Sequence, residues 1–234
     1  MTKIYAQNAV ILARQSVADC ATQMITRNGM TDYFTADLHL KHEKVAKIRG
    51  FENSSEHDLE IRKGIMPLNR GDRLWILGDI SGGKYEYEAL EILRDWQDDA
   101  GFEIHIVAGN HDSFHPMHRR YFQMRYCMHR DEISSVDTMG TFRHNKDKVL
   151  LSHFPYTGDR GEDRYPEYRL NDTGKPIVHG HTHSSEKVSY SDKGSLQICV
   201  SLDAWGLKPA PKHELVKLIE PQYTLILRSC HEQI

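Results

Sequence analysis

The run Arg73-Leu74-Trp75-Ile76-Leu77-Gly78-Asp79 is short, apolar and closed by a glycine and a carboxylate. That is the pattern of a buried strand that delivers an acid at its end. The same grammar recurs along the chain. Tyr33-Phe34-Thr35-Ala36 leads to Asp37-Leu38-His39, and Glu103 to Ala108 leads to Gly109-Asn110-His111-Asp112. Val149 to Ser152 leads to His153, and Pro176 to Val178 leads to His179-Gly180-His181-Thr182-His183. Helical patterns lie between the early strands. Asn53-Ser54-Ser55-Glu56 reads as a capping box that opens a helix through about Leu68. Residues 85 to 99 put Tyr85, Ala89, Ile92, Leu93 and Trp96 on one face of a second helix.

A polar helical stretch is expected around 115–126, β texture from Ile133 to Phe142, a turn at Asn145 to Lys148, and a strand from Leu196 to Leu202 that runs into Asp203-Ala204-Trp205. An early α/β half and a later β-rich half predict an α/β protein.

Five strand-to-loop junctions thus carry Asp, Asn or His. Rigid strands that place loops at their carboxyl ends are the usual way an α/β protein builds a site. Packing is a poor explanation for all five, because each buried imidazole or carboxylate needs a partner to offset its desolvation. Asp37, His39, Asp79, Asn110, His153, His181 and His183 form a mixed oxygen and nitrogen donor set without thiolates. Such a set suits manganese first, with iron, zinc, nickel or cobalt as alternatives, over structural zinc or calcium. Seven donors exceed what one ion with bound solvent would take, so two divalent ions are predicted, an arrangement that clamps a phosphoryl group and activates water.

The ordered blocks Asp37-x-His39, Gly78-Asp79, Gly109-Asn110-His111-Asp112, His153 and Gly180-His181-x-His183 resemble the calcineurin-like metallophosphoesterase superfamily. The similarity spans roughly residues 32–205. Phe34 to His39, Trp75 to Asp79 and Ser201-Leu202-Asp203-Ala204-Trp205 are similar to small bacterial and phage phosphohydrolases of that superfamily. The resemblance implies a four-layer αββα sandwich: two mixed β-sheets face to face, flanked by helices. It also implies roles. Asp37, His39 and His183 would hold one ion, Asn110, His153 and His181 the other, and Asp79 would bridge them. Asn110 and His111 would meet substrate, with His111 as general acid and Asp112 as the carboxylate that orients it. The implied reaction is phosphodiester hydrolysis of a small substrate, a nucleotide being the best candidate, by attack of hydroxide shared between the ions; monoester hydrolysis is a second activity of that type.

Composition narrows the alternatives. A formal charge of −3 provides no broadly basic surface, and no nucleic-acid-binding module is appended, so a nuclease is the second reading. A catalytically dead scaffold of the same fold is the third, and the intact motif positions argue against it. Cys20, Cys127, Cys199 and Cys230 have no metal-knuckle or disulfide spacing and read as reduced thiols. No apolar run spans a bilayer and the N-terminus lacks a secretory pattern, so the cytoplasm is the expected compartment, with no membrane partner.

The domain reading is a helical extension at 1–30 followed by the catalytic domain at 31–234. The extension has helix-like apolar spacing over residues 9 to 28, either docked on the core or serving as a homo-oligomer contact. Fifteen histidines are distributed unevenly. His42, His105 and His179 sit near the motifs and are assigned supporting roles, while Asp203 reads as a strand-end cap. The loop between His153 and His179 is tied to a candidate ligand at each end. Its arginines read as contacts for phosphate or as partners of the loop's own acids.

Overall fold

A computed structural model describes residues 30–124, 133–159 and 161–231, with side chains described as far as residue 221. The expected N-terminal helix lies outside the described residues. Ten strands form two mixed five-stranded sheets among these residues. The first sheet has the order β10-β1-β2-β3-β4, from β1 (Asp32–Thr35), β2 (Arg73–Ile76), β3 (Glu103–Val107), β4 (Ser135–Asp137) and β10 (Ala210–Pro211). The second has the order β5-β6-β7-β9-β8, from β5 (Gly140–His144), β6 (Asp147–Leu151), β7 (Ile177–His179), β8 (Val188–Tyr190) and β9 (Leu196–Cys199).

Strands β1, β2 and β3 feed two cores at once, and their alternation shows how. Leu74, Ile76, Ile104 and Ile106 face a helical layer, where they pack with Ile61, Ile65, Leu90, Leu93 and Trp96. Phe34, Leu77 and Val107 turn the other way and pack with Phe142, Val149, Val178 and Ile198 of the second sheet. Successive side chains of a strand point to opposite faces, so a strand covered on both sides reads as a continuous apolar run. The Phe34 and Phe142 rings, 5.3 Å apart, mark the contact between the sheets.

The helical layer contains α1 (Glu43–Ile48), α2 (Ser54–Ile65) and α3 (Glu86–Ala100). The capping box holds in part. Asn53 accepts from Glu56 N at 2.9 Å, but the Glu56 carboxylate reaches the N–H of Glu52 instead of that of Asn53. α2 ends at Ile65, short of Leu68, because Pro67 has no N–H with which to continue the ladder. The expected helix at 115–126 is mostly turns through Arg120, with helix at 121–124 before the described residues break off.

Four elements escaped the sequence reading: α1, β8, β10, and the C-terminal helix α4 (Lys212–His231), whose Leu215 and Ile219 enter the inter-sheet core. On the outer face of the second sheet the His153–Lys175 loop provides cover, with Tyr156 N–H donating to Gln197 Oε1 at 2.7 Å. No described helix is long and apolar enough to cross a membrane.

Parallel pairing positions the site. β1, β2 and β3 are mutually parallel, as are β6, β7 and β9, so the carboxyl ends in each set lie on one edge. The two edges meet where Ala36 bridges Ser201 and Leu202 N–H donates to Ala36 O at 3.2 Å.

Candidate metal centre

Five of the seven expected ligands occupy the left-handed backbone region: Asp37, His39, Asp79, His181 and His183 all have φ between 48° and 70°. Non-glycine residues adopt this region infrequently, and when they cluster there the surrounding structure is holding them in place. Each strand ends and the chain reverses at once, turning the next side chain into the gap between the sheet edges. The neighbouring glycines serve close approach. A Cβ on Gly78, whose φ is +87°, would lie 2.5 Å from Gly109 N and 2.6 Å from His153 Nδ1.

All seven expected ligands converge. Donor atoms of Asp37, His39 and His183 lie within 4.8 Å of one another, as do those of Asp37, Asp79 and His153. His39 Nε2 is 3.1 Å from His183 Nε2, which is 3.7 Å from Asp37 Oδ1. Asn110 Oδ1 sits 3.0 Å from His153 Nε2 and 2.9 Å from His181 Nδ1. Asp79 reaches both groups, with Oδ2 3.9 Å from His39 Nε2 and Oδ1 3.5 Å from His153 Nε2.

The donor set fits cations, and the outward partners of the rings show why. His153 Nδ1 donates to Leu77 O at 2.8 Å, and His183 Nδ1 to Asp203 Oδ2 at 3.0 Å. His181 Nε2 lies 3.1 Å from Asp159 Oδ2, to which it donates in the tautomer that frees Nδ1, and 3.0 Å from an Arg164 terminal nitrogen. A neutral imidazole has one N–H, so each of these bonds leaves the inward nitrogen with only a lone pair, the arrangement found in metal-ligating histidines. Inward lone pairs and carboxylates facing one another repel unless positive charge lies between them.

The protonation equilibria carry the same strain. Burial holds His39 well below its usual range, and burial with His153 nearby lowers His181 to about 3, so both are neutral. Burial and then the Asp37 charge push Asp79 well above the carboxylate range. For Asp37 burial acts upward, but His183, His153 and His39 outweigh it and the net shift is down. His183 is shifted up because Asp203 and Asp37 overcome the opposing effect of its burial.

His111 stands at the rim, its side chain half exposed, with Nε2 4.0 Å from Asp79 Oδ2 and its backbone N–H donating to Asp79 Oδ1 at 2.9 Å. Asp112 does not orient it as expected. Its carboxylate is fully buried and accepts from Asp79 N at 2.9 Å, Ile80 N at 3.0 Å and Gly109 N at 2.7 Å. Asp112 therefore clamps the β2 and β3 loops together. Burial, and next the neighbouring Asp79, push its pKa up to about 8.

Sequence reading missed several supporting residues. Asp203, read as a cap, holds His183 and is gripped by Arg49 through Nε at 3.0 Å and a terminal nitrogen at 2.8 Å. Arg49 also donates to Asp37 O at 2.8 Å and Leu38 O at 3.3 Å. Nothing local in Lys47-Ile48-Arg49-Gly50 announces this. Asp203 does have a signal, since it closes a sixth strand-to-loop junction. Asp159 takes Arg169 at 2.9 Å as well as His181, so the loop's own ion pairs are also its tie to the site. His42 caps α1 by accepting from Val45 N at 3.2 Å, and His105 stacks on Trp75 at 4.5 Å, both supporting roles.

Known proteins are similar to this chain in sequence and in fold. Residues 30–200 match the family model described as the calcineurin-like phosphoesterase superfamily domain. The Gene 66 protein of Mycobacterium phage L5 is 39% identical over 186 residues, covering 74% of this chain and 87% of that protein. The Gene 66 protein of Mycobacterium phage D29 is 35% identical over 197 residues, covering 80% and 92%. A crystal structure of the protein of unknown function AQ665 from Aquifex aeolicus aligns with a TM-score of 0.58 at 20% identity, covering 81% of this chain and all of that one, a likeness of fold. The chain belongs to the calcineurin-like phosphoesterase superfamily, whose chemistry is metal-dependent phosphoester hydrolysis.

Proposed function

We propose that this member of the calcineurin-like phosphoesterase superfamily hydrolyses small phosphodiesters, nucleotides first among them, with two divalent ions, manganese before iron, zinc, nickel or cobalt. One observation carries the reading: seven donor side chains from both sheets face one another while the N–H groups of His153, His181 and His183 are tied outward. When bound, such ions stabilise charge on a phosphoryl group and acidify an attacking water.

The chain's own residues do the rest. Asp37, His39 and His183 would hold one ion, Asn110, His153 and His181 the other, and Asp79, within reach of both groups, would serve the pair. Leu77 O, Asp159 and Asp203 fix the ring tautomers. His111, accessible at the rim beside Asp79, holds a proton at Nε2 for the leaving oxygen. Burial and then the nearby His153 lower its pKa.

The test is a panel: metal-stripped protein reloaded with Mn, Fe, Zn, Ni, Co or Mg, assayed on a diester, a monoester, cyclic nucleotides and single-stranded DNA. Diester turnover with manganese above the others is expected. Turnover confined to single-stranded DNA would replace this reading with a nuclease, and no turnover with any metal would remove it. His111→Ala should keep its metal and lose about 10²–10⁴-fold on a nucleoside diester, less on a nitrophenyl diester. Equal losses on both would make His111 a phosphoryl-binding group alone.

A further inference from the structure

Beside the His181-Thr182-His183 turn lies a cavity of about 470 Å³ that the metal donors do not fill. Val45 and Ile48 of α1 form an apolar wall, and Ile48 is 73% exposed, which core packing does not explain. Thr182, Arg164, Arg49, Asp159 and Asp203 lie on the polar side, with both carboxylates already held by arginines. His111 is absent from the lining. It meets the His39 ring at 5.6 Å, while His183, which does line the cavity, stacks on the same ring at 5.0 Å.

Among the described residues that line the cavity, Arg164 is the cation exposed enough to respond to a ligand. Its side chain is 58% exposed, with Nε 3.2 Å from Asp159 Oδ2 and a terminal nitrogen 3.0 Å from His181 Nε2. His181 Nε2 already donates to Asp159, so Arg164 competes there with a proton. Asp159 keeps a second, buried partner in Arg169 at 2.9 Å. Moving Arg164 onto a ligand therefore leaves the buried Asp159 still paired with Arg169, and the arginine that moves is itself exposed. Arg49, by contrast, is fully committed to Asp203 and to backbone carbonyls.

We propose that this cavity holds the retained arm of a phosphodiester. The arm is a nucleoside-sized group whose flat body lies on Val45 and Ile48 and whose polar edges meet Arg164 and Thr182. The proposal rests on the functional reading above. A phosphoryl group on the His181 and His183 donors has one ester oxygen toward the cavity and the other toward His111. Water adds to phosphorus, the P–O bond on the His111 side breaks, the leaving oxygen takes the proton, and the arm stays on the product. A monoester leaves the cavity empty. Guanidinium groups stack on planar rings as well as hydrogen-bonding their edges, and the volume is in the range of sites for small ligands.

The test uses three esters with one leaving group: thymidine 5′-(4-nitrophenyl phosphate), methyl 4-nitrophenyl phosphate and 4-nitrophenyl phosphate. Manganese-loaded full-length protein should show kcat/KM for the thymidine ester about tenfold or more above the methyl ester. Ile48→Asp and Arg164→Gln should each cut that ratio about fivefold through KM, a loss in the range of a displaced pocket contact. A wild-type ratio near one, or a ratio unchanged in both variants, overturns the proposal. If no ester turns over, the functional reading fails, and saturation-transfer NMR of the thymidine ester on metal-stripped protein decides the cavity separately. Thymidine signals present for wild type and lost in Ile48→Asp support it; signals absent or equal in the two overturn it.

Discussion

The two halves of the metal centre are held by different means. On the first-sheet side, Asp112 collects the N–H groups of Asp79, Ile80 and Gly109, and Asp37 accepts from His181 N at 3.0 Å and from the Ser201 hydroxyl. On the second-sheet side, His181 and His183 are fixed by the carboxylates of Asp159 and Asp203, which depend in turn on Arg169, Arg164 and Arg49. The Asp112 carboxylate ties three backbone amides of the fold itself, so it cannot be replaced without cost to the scaffold. Asp159 and Asp203 can, so the second half is where metal affinity and substrate preference can change without loss of the scaffold.

The comparison can be broken at several points. Asp79→Ala should have the largest effect, because its carboxylate faces both ligand groups; elemental analysis should find both ions gone, and a protein that keeps two per chain would refute the shared role. Asp112→Ala should come next, destabilising the fold by about 3–5 kcal/mol, since three buried N–H groups lose their acceptor. Urea denaturation measures this, and a loss below that of Asp203→Ala would reverse the contrast between the halves.

Asp203→Asn should leave the denaturation midpoint near wild type while weakening metal binding about 10–100-fold, the usual cost of a lost carboxylate behind a ligating histidine. Competition with a chelator reads the affinity, and an unchanged value would make Asp203 a cap after all.

The smallest effect lies away from both halves. Asp32 is buried, which alone raises its pKa, but Lys212 and Arg73 outweigh this and lower it, with Lys212 Nζ at 2.9 Å and Arg73 Nε at 2.7 Å. A carboxyl whose folded pKa is depressed stabilises the fold above its unfolded value of about 3.9 and loses that contribution as pH falls through the folded value. Asp32→Asn should cost about 1 kcal/mol at neutral pH, after allowance for the partly exposed lysine and arginine. The difference from wild type should vanish at the acid end of a stability–pH profile, and persistence there would assign the effect to packing.

Much of the site is legible in the sequence because its residues are local to strand ends. Asp37-x-His39, Gly78-Asp79, Asn110, His153 and His181-x-His183 each follow an apolar run whose length and composition identify a buried strand. Side chains next to a strand end must lie at the sheet edge, so the sequence alone determined which residues would meet and implied the sandwich that brings them together. The helix α4 is not legible in this way, because Pro221 falls inside Lys212–His231 and an internal proline argues against one continuous helix. Asp112 was paired with the wrong partner because adjacency to His111 does not say which way a buried carboxylate turns. Arg49, Asp159 and the Ile48 wall were decided only by tertiary structure. Arg49 and Asp203 are 154 residues apart and His181 and Asp159 are 22 apart. Such contacts follow from how two sheet edges converge at Ala36 and Ser201, a long-range packing of whole layers that no local pattern encodes.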